Sequence, residues 1–217
     1  MGRHEGVNEH GVATALHFVN NANQVRGLMC STIIRIIADT CKTTDDCIQL
    51  LKELPHACSY NYSIGDRKGR HVVVEASSHK VEVREKEGTL TCTNHFKNPQ
   101  MESYNREHLT HSIQRLTAMT HKNADGIELF NWFSDPSSEM YFHDYKQFFG
   151  TLHTFGYFFK EDRFITKIAN GKETLDIKLN DWINGKPLPL NKLTGSVPGT
   201  DFKRLCTKGF ESVPGTF

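Results

Sequence analysis

The sequence predicts an α+β fold in which helices and strands occupy separate blocks. Two observations carry this. The hydrophobic pattern runs strand, two helices, several strands, two helices, two strands, and segregated blocks favour stacked layers over a doubly wound parallel sheet. The apolar period also switches, from helical spacing before Pro55 to alternation after it.

Each element has a local reason. Asn8-Glu9-His10-Gly11 is polar and ends in Gly, as a turn does, and Val12 to Val19 then reads as a buried strand. In GLMCSTIIRIIADTC, Leu28, Ile33, Ile34 and Ile37 form a helical stripe. Thr43-Thr44-Asp45-Asp46 caps a second helix, which buries Ile48, Leu50, Leu51 and Leu54 and stops at Pro55. SYNYSIGD and HVVVEAS read as a hairpin closed by Gly69. HKVEVREKEGTLTCTN adds one or two strands, with Val81 and Val83 facing one way and Glu82 and Arg84 the other. MESYNREHLTHSIQRLTAMTH reads as helix, and a short helix begins near Asp125. GTLHTFGYFFKEDRFITKIA gives two final strands around Lys160-Glu161-Asp162. From about residue 180 the chain is rich in Pro and Gly and reads as loop or extended wrap; the repeated SVPGT string there is too short to make a repeat architecture.

Composition narrows the function. In 217 residues, 26 Lys and Arg balance 25 Asp and Glu, for a net charge of +1, which argues against a dedicated nucleic-acid binder. No apolar stretch is long enough to span a bilayer, no cationic amphipathic helix marks a membrane surface, and MGRHEGVNEHG lacks the apolar region of a signal peptide. Gly6 stands where myristoylation needs Ser or Thr. The expected location is the cytoplasm, with six reduced cysteines. His108 and His111 could share a helix face, but no third ligand accompanies them, so no metal is expected, and no cofactor either. Asn61-Tyr62-Ser63 fits a glycosylation sequon but lies in a strand.

The chain has no GxSxG elbow, phosphate loop or dinucleotide fingerprint. Strand alternation would put Cys92 and Asn94 on one face and His95 on the other, with Cys92 reading as a buried structural thiol. Asn94 ends that strand, where its amide can donate to a developing oxyanion or simply form a turn. Glu75 ends a very apolar strand and reads as a rim residue, since burial would demand a partner. Met101, Met119 and Met140 read as core fillers, and the Phe148-Phe149 and Phe158-Phe159 pairs as core or the lining of an acyl pocket.

GVNEHGVATALHF, then TTDDCIQLLKELPHACSYNYSIGDRKGRHVVVEAS, then TCTNHF, resemble peptidase family C45. These are autoproteolytic acyltransferases and hydrolases similar to the acyl-coenzyme A:6-aminopenicillanic acid acyltransferase, relatives of the choloylglycine hydrolases and other linear-amide hydrolases of the N-terminal-nucleophile class. The resemblance runs from about Gly6 to Asn98 and continues more weakly through SYNREHL and GTLHTFGYFF to about Gly171. It implies an αββα sandwich over residues 1–179, followed by a poorly patterned tail over 180–217. It implies a substrate that is a small acyl amide or acyl thioester, and a Cys nucleophile whose own α-amine is the base. It matches the oxyanion donor to Asn94 and a substrate-side Arg to Arg106, which otherwise reads as a solvated helix residue.

One departure stands out. The family carries its nucleophilic Cys upstream of the Gly-x-Asn-Glu motif, whereas the first Cys here is Cys30, after it. The expectation is therefore an incomplete sandwich lacking its N-terminal strands and its nucleophile, inactive alone, with an open sheet edge that favours pairing of copies. The alternative is a non-catalytic remnant or binding module of the same fold. An unrelated α+β structural protein ranks last, because it makes the three motif matches coincidences.

Overall fold

The computed structural model describes residues 4–20, 24–147 and 150–198. Among these residues eight strands form two antiparallel sheets. The first has the order β1 (Glu5–Val7), β2 (Ala13–Asn20), β3 (Ser59–Gly65), β4 (His71–Ala76), β5 (Val81–Arg84). The second joins β6 (His153–Phe158), β7 (Arg163–Ile168) and β8 (Thr174–Lys178). Five helices accompany them: α1 (Cys30–Thr40), α2 (Thr44–Glu53), α3 (Thr110–His121), α4 (Gly126–Ser134) and α5 (Leu179–Ile183).

Alternation along the strands builds four layers. Tyr62 and Ile64 of β3 and Val72, Val74 and Ala76 of β4 pack with Ile33, Ile34 and Ile37 of α1 and Leu51 of α2. Each such Val, Leu or Ile side chain contributes about 1.5–3 kcal/mol by leaving water. The opposite face, with Ala13, Ala15, Ser63, Gly65 and Val73, looks across to Phe155 and Tyr157 of the second sheet and to Phe159 just beyond β6. The alternate residues of β6 meet α4: Gly156 lies against Phe130, and Thr154 Oγ1 donates to Phe133 O. The order of layers is helices, sheet, sheet, helix, the αββα sandwich predicted. Among the described residues no helix is long and apolar enough to cross a membrane.

Local signals held where local bonds decide. Thr43 caps α2 in a reciprocal box with Asp46, and Asp125 does the same for α4 with Glu128. Gly11 sits at φ +76° in the β1–β2 turn, a conformation that favours glycine. Asn8 forms that turn through its Oδ1 and also donates Nδ2 to Cys41 O at the end of α1, at 2.7 Å. Asp162, at φ 52°, makes the β6–β7 turn.

Several expectations need correction. The strands β1 and β8 are short and half-exposed, and their pattern was too weak to announce them. Of the one or two strands expected in HKVEVREKEGTLTCTN, β5 alone forms, and the segment bearing Asn94 is not a strand: Thr93 and His95, whose carbonyls would join a ladder, both accept instead from Asn61 Nδ2, at 2.9 Å. The helix expected from Met101 starts only at Thr110, after a single 3₁₀ turn at Glu102–Tyr104. Asn105 keeps the intervening backbone extended, because its Oδ1 accepts from Phe96 N and its Nδ2 donates to Phe96 O. Glu75 is not at a rim. It is fully buried, and Arg84 Nε and the backbone N–H groups of Lys97 and Asn98 satisfy its carboxylate at 3.0–3.1 Å. Phe148 and Phe149 lie outside the described residues.

Candidate functional site

The strand β2 carries an irregularity at its end. Phe18 pairs with Tyr60 and Asn20 with Ser59, so Val19 falls out of register. Such bulges re-aim backbone groups beside functional sites. Here two carbonyls are turned to side chains: Phe18 O accepts from Asn94 Nδ2 at 2.9 Å, and Val19 O from Arg106 Nη1 at 2.9 Å.

Asn94 is therefore held from three sides. Its Nδ2 binds Phe18 O, its Oδ1 accepts from Arg115 Nη2 at 2.8 Å, and its backbone O accepts from Arg106 Nη1 at 2.6 Å. An amide nitrogen has two N–H donors, and one is used here. Asn94 lines an open cavity of about 730 Å³ together with Phe18, Arg106, His111, Arg115 and Phe142. A volume of that order suits a small organic ligand.

The neighbours that hold this loop escaped the sequence reading. Asn61, noticed only as part of a sequon, is fully buried and clamps Thr93 and His95. His95 Nδ1 shares a hydrogen bond with Ser112 Oγ of α3 at 2.8 Å, tying the loop to that helix. Arg115 follows Arg106 by nine residues, and only the folded chain brings both guanidinium groups to Asn94. Arg106 is not a solvated helix residue. It precedes α3, half-buried, with Nε on His108 O and Nη1 on Val19 O and Asn94 O. Desolvation lowers the pKa of both arginines, and at Arg115 repulsion from Arg106 lowers it further.

The cysteines are placed differently. Cys30, Cys41, Cys47 and Cys58 are buried free thiols. Burial pushes Cys30 and Cys58 up; Cys41 and Cys47 share a hydrogen bond that lowers the first and raises the second. Cys92 faces Ser63 and Asn61, and desolvation pushes its thiol up to about 12. Cys206 lies outside the described residues. A thiolate is the attacking form of cysteine, and Cys92 is held far from it. His17 Nε2 bonds Ser63 Oγ at 2.8 Å, and burial lowers its pKa to about 4.

His108 and His111 do not share a helix face, because His108 precedes α3; both nevertheless line the cavity. Among the described residues, no three His, Cys, Asp or Glu side chains converge as a metal set.

Comparison with known proteins adds the family. The model of the acyl-coenzyme A:6-aminopenicillanic acid acyl-transferase family matches residues 1–173. No curated protein sequence matches the chain. Among solved structures, the chain is similar to a variant of the conjugated bile acid hydrolase from Clostridium perfringens, with a TM-score of 0.57 and 12% identity. That alignment covers 90% of this chain and 77% of the hydrolase. A second variant of the same hydrolase aligns over the same shares with a TM-score of 0.52 and 12% identity. Penicillin V acylase from Agrobacterium tumefaciens gives 0.48 at 12% identity, over 81% of this chain and 66% of that one. At such identity the two hydrolase structures bear on the fold alone, and they share it with this chain.

Proposed function

The chain belongs to the acyl-coenzyme A:6-aminopenicillanic acid acyl-transferase family, and from that premise we propose that its cavity serves acyl transfer or hydrolysis at a linear amide or acyl thioester. In this reading Asn94 Nδ2 donates its second N–H to the oxyanion that develops on the substrate carbonyl. Arg106 holds the Asn94 backbone and borders the bound substrate. The observation that carries the reading is the fixed amide of Asn94 at the cavity wall, between Phe18 O and Arg115. A donor held in place beforehand costs no reorganisation as charge develops.

The attacking group in this reading is none of the described cysteines, since four are buried and Cys92 is pushed up to about 12. Residues 1–217 on their own then turn over no amide. Residues 1–179 form the catalytic fold and 180–217 an appendage; support comes from the sheets, which end with β8 at Lys178, although α5 runs across that boundary. The reduced thiols favour work in the cytoplasm.

The test compares acyl-amide hydrolysis by purified residues 1–217 with hydrolysis by the gene product isolated from its own cells. Activity of residues 1–217 alone overturns the exclusion of these cysteines. A second reading, a binding module of the same fold, is favoured by the same buried thiols, and it predicts binding without turnover in both preparations.

A further inference from the structure

The cavity beside Asn94 holds two arginines without acids. Among the half-buried arginines described, Arg70 pairs with Asp45 and Glu85, Arg84 with Glu75, and Arg163 with Asp176. Arg106 and Arg115 pair with no carboxylate among the described residues; their partners are carbonyl oxygens and the amide of Asn94. No described Asp or Glu lines the cavity they border. A half-buried cation without a counter-charge is costly, and two at one residue repel. Desolvation of both is visible in their lowered pKa values.

A second feature points the same way. The helix α3 is twelve residues long and opens onto this cavity through Thr110 and His111. Its N-cap, Leu109, supplies no side-chain hydrogen bond, and its first turn holds no acid. The N–H groups there and the positive end of the helix favour an anion. Phe18, Met140 and Phe142 add apolar side chains to the lining of the same cavity.

We propose that this cavity binds an amphiphilic oxyanion, with its charged head between Arg106, Arg115 and the start of α3, and its apolar tail on Phe18, Met140 and Phe142. The guanidinium fork suits a carboxylate or a phosphate equally. The proposal deepens the reading above and rests on it only in taking this cavity as the ligand site. It is read by binding, so absence of turnover leaves it standing, and absence of binding leaves the acyl-transfer reading to its own test.

The experiment is calorimetric titration of the purified protein with decanoate, decyl phosphate and decanol, each below its micellar concentration. At least one of the two anions binds tenfold or more tighter than decanol, and the tighter anion identifies the head group. In Arg115→Met that preference collapses to within about twofold, while Arg163→Met, in the second sheet, keeps it. His111→Asp, at an exposed position on the rim, places a competing carboxylate and weakens anion binding fivefold or more without touching decanol. Equal affinity for anions and decanol overturns the proposal. So does a preference that survives both Arg115→Met and His111→Asp in proteins with unchanged circular dichroism.

Discussion

Arg115 Nη2 donates to Asn94 Oδ1 at 2.8 Å, while Asn94 Nδ2 donates to Phe18 O at 2.9 Å. The two bonds fix which end of the amide is which. A guanidinium has only donors and a carbonyl only accepts, so a flipped amide would lose both contacts. The same pair of bonds leaves one N–H of Asn94 to serve the cavity.

Replacing Asn94 by Ala in the gene product that turns over an acyl substrate should lower kcat about a hundredfold or more, the effect of losing one oxyanion donor. Arg115→Met should lower kcat less, because the Phe18 bond still restrains the amide. Steady-state kinetics on both variants checks this, and an unchanged kcat for Asn94→Ala removes that residue from the mechanism.

Glu75→Ala should destabilise the fold by about 3–5 kcal/mol, the cost of stranding a partner when one member of a buried pair goes. Arg84 Nε and the N–H groups of Lys97 and Asn98 would all lose their acceptor. Urea unfolding at neutral pH measures it; a loss under about 1 kcal/mol would mean water replaces the carboxylate readily.

Asn61→Ala removes the donor shared by Thr93 O and His95 O and leaves both carbonyls unmatched. A cost of about 1–3 kcal/mol is expected for such unmet groups. The loop bearing Asn94 should also exchange its amide hydrogens faster than β3 does, which hydrogen-exchange mass spectrometry reads peptide by peptide.

Acid should weaken the protein through its histidines. Burial lowers the folded-state pKa of His17 to about 4, and also lowers those of His56 and His95, from the ordinary 6.5. The unfolded chain takes up these protons first. Their contribution is therefore complete above pH 6.5 and is lost as pH falls through the folded values. Each group adds at most about 1.4 kcal/mol per pH unit to the slope. Stability measured from pH 7.5 down to pH 4.5 should fall less steeply in His17→Gln; identical slopes would exclude His17 as a contributor.

The chain's local grammar was legible before folding. Thr43 with Asp46 and Asp125 with Glu128 each close a cap within four residues, and Gly69 and Gly11 mark turns of their own. The isoleucine stripe of α1 and the alternation of β3 and β4 announce which faces are buried, because one element's period suffices to say so. These signals, with the motifs around Asn8 and Asn94, were enough for the αββα layers and the family.

The site itself belongs to the tertiary structure. Asn94 meets Phe18 across 76 positions, and Arg106 meets Val19 across 87. Nothing in local propensity foretells that the register slip at Val19 turns two carbonyls toward them. Nor could Glu75, last but one in an apolar strand, be recognised as buried until the loop at Lys97 and Asn98 supplied its donors. The sequence by itself determined the elements and their faces, because hydrogen bonds within a turn and the repeat of a helix or strand are local quantities. The meeting of two arginines and one asparagine at a cavity wall was decided only when distant segments packed, because a buried polar group takes its character from partners the chain brings to it.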